Sequence, residues 1–185
     1  GTLDGRLLAL DAATGKLCAG FGDNGSLDLL QGLGRTQPGD FSISSPPVIV
    51  DGKIVLGGRI PDNMRVDVPG GVIRAFDVHT GALAWAWNSA PPGELPPEGE
   101  PYVRGTPNAW APLAVDIERK LVFVPTGNAS TDHTNIIRGD KDSHAASRHH
   151  RRRHHNDHGS GRGSACDAIR GTRRRSRWAS RSTHC

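Results

Sequence analysis

The sequence predicts an all-β fold made of repeated strand pairs, which is best explained as blades of a β-propeller. Short apolar, β-branched runs are bounded by Gly, Pro, Asp or Thr, as is typical of strands separated by tight turns. Two kinds of strand-and-turn unit each recur after about 65 residues, and no sustained helical periodicity occurs before residue 138. A β-sandwich would also contain short strands, but it would not explain the near-constant spacing.

The first repeated unit is an apolar run that leads into Asp-x-x-Thr-Gly. It occurs at 7–15 and again at 72–81. An Asp carboxylate can accept bonds from backbone N–H groups of such a turn, and glycine can take its left-handed position. Each copy therefore predicts a strand that ends in a compact turn.

The second repeated unit is a hairpin. The apolar runs 47–50 and 54–57 flank Asp51-Gly52, and the runs 113–116 and 121–124 repeat the pattern. An Asp-Gly pair between two apolar runs is a strong hairpin signal, because glycine tolerates the positive φ of a primed turn. We predict that each pair of runs forms an antiparallel hairpin.

Charge and composition divide the chain in two. Residues 1–137 carry a net charge of −5, whereas residues 138–185 carry +9 and seven of the nine histidines. The Arg/His-rich tail, 133–185, has too few apolar residues for a core, which predicts a disordered segment, interpreted as an out-of-frame continuation. Basic tracts attract phosphate backbones, but the tail lacks interleaved aromatic residues, so no specific nucleic-acid partner is expected. Of the three cysteines, Cys18 is interpreted as a small buried residue.

Several motifs in residues 1–132 resemble the propeller of quinoprotein dehydrogenases that use pyrroloquinoline quinone (PQQ). The Asp77–Trp85 stretch is similar to their tryptophan-docking motif, in which a Trp packs onto the next blade. The membrane-bound glucose, quinate and shikimate group is matched by Leu10 to Cys18, Ser45-Pro46-Pro47, Asp62-Asn63, Gly71 to Arg74, Thr106 to Pro112, and Pro125 to Asn128. The resemblance implies an eight-bladed propeller, of which residues 1–132 would form about two blades.

The resemblance also implies a cofactor site. PQQ is a flat anionic quinone, and Trp110 matches the family residue that lies against its ring, where a large aromatic face suits stacking. Ser44 and Asn108 match positions at the cofactor. Oxygen ligands suit Ca²⁺ or Mg²⁺, and the residues that match the cation site are Asp62, Asn63 and Asn128. Without the resemblance, Asp62-Asn63 would be a plain turn, Trp110 a core residue and Ser44 an ordinary residue at the start of a strand.

The expected activity of the parent protein is PQQ-dependent oxidation of glucose to its lactone, with electrons passed to membrane ubiquinone. Quinate, shikimate or another polyol is the alternative substrate, and a non-catalytic propeller scaffold with a nucleic-acid-binding tail is the second alternative. The resemblance places such a protein in the bacterial inner membrane with its propeller in the periplasm. The chain starts at Gly1 and has a single methionine, Met64, so we expect a piece of a longer protein. The resemblance ends at residue 132, and the family's general base is expected in the segment that would follow it. No catalytic residue is therefore assigned.

Overall fold

The computed structural model describes residues 1–88 and 100–133, together with the backbone of 166–170. These residues contain nine strands and no helix: β1 (Arg6–Leu8), β2 (Ser26–Asp28), β3 (Val48–Val50), β4 (Lys53–Leu56), β5 (Ile73–Asp77), β6 (Leu83–Trp87), β7 (Ala114–Asp116), β8 (Leu121–Pro125) and β9 (Cys166–Arg170). In the described part of the chain, no helix is long and apolar enough to cross a membrane.

The strands form three antiparallel sheets, ordered β1-β2, β3-β4-β5-β6 and β7-β8-β9. The middle sheet is a four-stranded meander in which each strand pairs with the next along the chain. Successive antiparallel sheets of this kind are the blades of a propeller. The predicted all-β propeller architecture is confirmed.

Both predicted hairpins form. β3 pairs with β4 so that Val50 lies opposite Lys53, and the two-residue turn between them is Asp51-Gly52, with φ of 51° and 68°. Positive φ at both turn positions is the primed geometry that the Asp-Gly pair predicts. The β7–β8 hairpin closes with Asp116 opposite the first residue of β8.

The repeated Asp-x-x-Thr-Gly units form the predicted turns. Asp77 Oδ1 accepts the backbone N–H groups of His79 and Thr80, at 3.0 Å and 2.9 Å, and also the Thr80 hydroxyl. Gly81 follows with φ of 73°. Asp11 makes the same set of bonds in the first unit. Because these bonds favour the carboxylate, they lower the pKa of Asp77, with the backbone N–H of Thr80 as the largest cause.

The two central strands of the middle sheet, β4 and β5, are buried on both faces, as expected of a blade between two neighbours. Ile54 and Leu56 belong to one apolar cluster, which includes residues around β1 and β2. Val55, between them in sequence, belongs to a second cluster that includes Val124 of β8. Trp85 packs against this second cluster, in agreement with its predicted packing role. Each fully buried aliphatic side chain contributes roughly 1.5–3 kcal/mol.

Arg74 joins β5 to the loop after β2. Its guanidinium is buried, donates to the carbonyl oxygens of Leu29 and Gln31 at 2.6 Å and 3.1 Å, and lies over the rings of Phe41 and Phe76. Burial lowers the pKa of Arg74 to about 10, so it remains charged at neutral pH. These bonds tie β5 to the loop after β2, in addition to the apolar cluster that the two sheets share.

Two findings depart from the sequence predictions. Residues 166–170 of the predicted disordered tail form β9, which pairs with the otherwise open edge of β8. An unpaired strand edge offers a row of backbone donors and acceptors, and a nearby segment of almost any composition can use them. Predictions for the rest of the tail concern residues outside those described. Cys18, which was predicted to be a small buried residue, is half-buried and disulfide-bonded.

Candidate cation and cofactor site

Residues 106–110, here called the 106–110 segment, lie directly against the chain before β5. The buried Thr106 hydroxyl accepts the N–H of Gly71 at 2.9 Å. A Cβ on Gly71 would come within 2.1 Å of the Pro107 carbonyl oxygen, so only glycine permits this approach. On its other side the segment receives a bond from Gly127 N–H to the Asn108 carbonyl, at 2.8 Å. The segment is therefore held between β5 and the loop that follows β8.

Trp110 is the last residue of this segment. Its side chain is exposed, and its backbone carbonyl is hydrogen-bonded. The residue is 55% exposed. Its carbonyl oxygen accepts two hydroxyl groups, from Ser44 at 3.0 Å and from Ser45 at 2.6 Å. The structure thus brings together Ser44 and Trp110, which the sequence predicted separately. The contact of Ser45 was missed, and its only signal was the Ser-Pro-Pro motif.

The three residues predicted to bind a cation are linked through residues 132 and 133. The Asn128 amide donates Nδ2–H to Asp132 Oδ1 at 2.8 Å. The Asp132 N–H donates to the Asp62 carbonyl at 3.2 Å, and the next N–H, of His133, donates to Asn63 Oδ1 at 2.9 Å. Asp132 was not predicted from the sequence, where a carboxylate four residues after Asn128 was the only signal.

Asn108 has a buried amide that the described residues leave unsatisfied. It is 1% exposed, and neither Nδ2 nor Oδ1 has a hydrogen-bond partner of normal geometry among those residues. Its Oδ1 would lie 3.0 Å from a Cβ placed on Gly127, and its amide is near enough to Asp62 to lower the pKa of that carboxyl. A buried amide with incomplete hydrogen bonding costs about 1–3 kcal/mol of folding free energy.

The four oxygen-bearing side chains at this place, Asp62, Asn108, Asn128 and Asp132, are here called the oxygen cluster. Burial raises the pKa of the Asp62 carboxyl, and the negative charge of Asp132 raises it further. A divalent cation would offset the repulsion between the two carboxylates. Carboxylate and amide oxygens are ligands of Ca²⁺ and Mg²⁺. Among the described residues, no group of three or more His, Cys, Asp or Glu side chains is arranged to hold a metal ion, so any cation here would depend on the amide oxygens as well.

Comparison with known proteins places this chain in a family. Residues 1–148 match the family model described as "PQQ: Glucose/ethanol/alcohol dehydrogenase, beta-propeller domain". This match extends past residue 132, and the predicted domain boundary there stays a prediction. The glycerol dehydrogenase large subunit of Gluconobacter oxydans is 43% identical over 149 residues, which are 80% of this chain and 20% of that protein.

Two further relatives differ in the substrate that their names state. Quinoprotein glucose dehydrogenase A of Acinetobacter calcoaceticus is 42% identical over 131 residues, covering 70% of this chain and 16% of that protein. The quinate/shikimate dehydrogenase (quinone) of Acinetobacter baylyi is 45% identical over 134 residues, covering 71% and 17%. This chain therefore spans about a fifth or less of the length of the relatives it matches.

A similar solved structure also comes from a quinoprotein-type dehydrogenase. The quinohemoprotein alcohol dehydrogenase ADHIIG of Pseudomonas putida HK5 has a TM-score of 0.51 and 31% identity to this chain, with 70% of this chain and 19% of that one covered. The four-stranded sheet, the match to the family model and the sequence identities all indicate the same family. The chain belongs to the PQQ-dependent glucose/ethanol/alcohol dehydrogenase family, and its strands are part of that family's β-propeller domain.

Proposed function

We propose that the protein containing these blades is a PQQ-dependent dehydrogenase of a sugar or polyol, and that this part of the propeller supplies one stacking face and the cation ligands. The observation that carries the proposal is the convergence of the predicted cation residues. Asp62 and Asn63 are about 65 residues from Asn128 in sequence, yet hydrogen bonds through Asp132 and the His133 N–H link these residues. Formation of a local turn at residues 62–63 would not require these hydrogen bonds to residues 132 and 133.

Trp110 would hold the cofactor ring by stacking. Its indole is more than half exposed, while two serine hydroxyls fix its backbone carbonyl. A tryptophan side chain has only two rotatable bonds, so it loses little conformational freedom when a flat ring packs on it. Ser44, already bonded to Trp110, would stand at the cofactor edge, and the unsatisfied Asn108 amide is available for a polar contact.

The cation would be held by oxygens of Asp62, Asn128 and their neighbours. A bound PQQ would supply hydride-accepting redox chemistry, and a bound cation would supply Lewis-acid chemistry. The hydroxyl proton of the substrate must pass to a general base. The proposal assigns that role to no described residue, and a base from another part of the propeller would supply it.

Glucose is the proposed substrate, with oxidation of the aldose to its lactone and ubiquinone as acceptor at the bacterial inner membrane. Support comes from the sequence motifs and from relatives named for glucose. Relatives named for quinate/shikimate and for glycerol make a cyclic or linear polyol the alternative. The proposal does not include a nucleic-acid partner.

A chimera tests this function. Residues 1–132 of this chain would replace the matching segment of the Acinetobacter calcoaceticus enzyme, and the product would be assayed with PQQ, Ca²⁺ or Mg²⁺ and an artificial electron acceptor. Glucose, quinate and glycerol would be supplied separately. Cofactor-dependent turnover is expected, and the preferred substrate would decide between glucose and the polyols.

Two variants make the assay specific to Trp110. Trp110→Ala is expected to raise the PQQ concentration needed for half-maximal activity by roughly 5- to 150-fold, since aromatic stacking of this kind contributes about 1–3 kcal/mol. Trp110→Phe keeps an aromatic face and should retain most of the affinity. A folded chimera without turnover, or full PQQ affinity in Trp110→Ala, would contradict the proposal.

A further inference from the structure

We infer that the ion pair between Arg65 and Asp40 positions the proposed cation ligands Asp62 and Asn63. The inference rests on the proposed function and adds two residues that do not themselves bind the cation. They act through the backbone turn that carries the two ligands, so both are positioning residues.

Asp62 and Asn63 are the two central residues of a tight turn. The Met64 N–H donates to the Pro61 carbonyl at 3.0 Å and closes this turn. A turn of four residues leaves its central residues little freedom of their own. The directions of the Asp62 and Asn63 side chains therefore follow from where the two ends of the turn are held.

No buried apolar side chain anchors the chain directly after this turn. Ile60 and Val68 lie in the apolar cluster that includes residues around β1 and β2. Ile60 fixes the incoming end of the turn, but no residue from 61 to 67 is buried. The outgoing end must therefore be held by polar contacts.

Arg65 supplies these contacts one residue after the turn closes. Its Nη2 donates to both carboxylate oxygens of Asp40, each at 2.6 Å, and its Nε donates to the Asp67 carbonyl at 3.0 Å. One guanidinium thus holds residues 65 and 67 together and joins them to the loop before β3. Hydrogen bonds between ionised partners are roughly twice as strong as those between neutral groups.

Asp40 is a firm base for this anchor. Its side chain is only 4% exposed. Its Oδ2 accepts the Gln37 N–H at 2.8 Å, its own N–H donates to the Gln37 carbonyl at 2.9 Å, and the next residue, Phe41, lies in the apolar cluster. A partly buried ion pair is screened by salt much less than an exposed one.

The turn is held by a second loop as well. The Asp132 N–H donates to the Asp62 carbonyl at 3.2 Å, and the His133 N–H donates to Asn63 Oδ1 at 2.9 Å. Arg65 and these bonds keep the turn in one place before a cation arrives. Ligands that are already ordered lose less conformational freedom on binding, which raises the affinity.

The test measures Ca²⁺ binding by the full 185-residue chain without PQQ. Isothermal titration would extend to about 10 mM Ca²⁺, since exposed modules bind with dissociation constants as weak as about 1 mM. Arg65→Gln should weaken binding about tenfold, as expected if the correctly held turn falls to roughly a tenth of the molecules. Asp40→Asn should have a similar effect, although its amide oxygen can still accept the Gln37 N–H.

Two further variants distinguish the ion pair from a general loss of charge. Arg65→Lys keeps the positive charge beside Asp40 but has no second donor group for the Asp67 carbonyl, so it should recover part of the affinity. Arg119→Gln is the matched control, because it removes a more exposed Arg–Asp pair, with Asp116, at the β7–β8 turn. It should bind Ca²⁺ as the unmodified chain does.

Hydrogen exchange and thermal unfolding separate positioning from general stability. Without Ca²⁺, Arg65→Gln should speed exchange of the Met64 amide, whose N–H closes the turn, and Ca²⁺ should restore part of the protection. A merely structural ion pair would lower the melting temperature equally with and without Ca²⁺. Loss of affinity also reduces the rise in melting temperature that Ca²⁺ causes.

The inference alone is overturned if Asp62→Asn loses Ca²⁺ binding while Arg65→Gln binds as tightly as the unmodified chain. Unchanged exchange of the Met64 amide in Arg65→Gln, or an equal loss of binding in Arg119→Gln, would overturn it too. If the unmodified chain did not bind Ca²⁺, the proposed cation ligands and the inference would both be contradicted. An inactive chimera, with Arg65-dependent Ca²⁺ binding in the chain, would count against the proposed function alone.

Discussion

Replacing Thr106 by valine removes one hydrogen bond that fastens the 106–110 segment to the blade and preserves the side-chain shape. Thr106 is 2% exposed, and its hydroxyl accepts the Gly71 N–H at 2.9 Å. Valine would leave that N–H buried without a partner. The cost of an unsatisfied buried donor is about 1–3 kcal/mol, or roughly a 5- to 150-fold change in the ratio of folded to unfolded protein.

Urea unfolding followed by tryptophan fluorescence would measure this loss. Thr106→Ser is the matched control, because it keeps the hydroxyl and removes one methyl group, worth about 0.8 kcal/mol. For a chain of this length, 1 kcal/mol corresponds to a melting-temperature change of about 2–4 °C. If Thr106→Val were as stable as the unmodified chain, or more stable than Thr106→Ser, the Gly71 bond would not hold the segment and the reasoning would be refuted.

Three further predictions concern packing, pH and activity. Gly71→Ala should destabilise the chain more than Thr106→Val does in the same urea assay, because the new Cβ would lie 2.1 Å from the Pro107 carbonyl oxygen. Gly20→Ala is the control: a Cβ there would have open space around it, so the free energy of unfolding should change by less than about 0.5 kcal/mol. The pKa of Asp77 is lower in the folded chain than its usual value of 3.8, so the ionised carboxylate stabilises the fold above pH 3.8. This stabilisation is lost as the pH falls through the pKa of the folded state. In urea titrations, the destabilisation caused by Asp77→Ala should therefore be largest near neutral pH and shrink below about pH 4. The 185-residue chain alone should show no dehydrogenase activity with PQQ, Ca²⁺ and glucose or quinate. A blade needs neighbouring blades on both sides, and the cofactor ring needs a second side chain to pack on its other face. Turnover above a cofactor-free control would show that the missing blades are dispensable.

The local features of the fold could be predicted from residues close together in the chain. The β3–β4 hairpin follows from Asp51-Gly52 between two apolar runs, and the turns at Asp11 and Asp77 follow from a carboxylate two to three residues before the N–H groups it accepts. These signals need no knowledge of the rest of the molecule. Their repetition after about 65 residues was enough to indicate blades.

The candidate site was accessible from the sequence only as separate residues. Asp62, Asn63, Ser44, Trp110 and the others were selected through family resemblance, and nothing in their spacing indicated which would meet. Their roles as cofactor and cation ligands remain predictions until the binding experiments are made.

The sequence by itself therefore determined the strands, their hairpins and the propeller class, because alternation and turn chemistry act over a few residues. Only the tertiary structure decided that two serine hydroxyls bond the Trp110 carbonyl, that Asp132 joins Asn128 to Asp62, and that β9 pairs with the edge of β8. These contacts join residues that blade packing brings together from distant parts of the chain. Their partners are chosen by the geometry of neighbouring sheets, which no short stretch of sequence specifies.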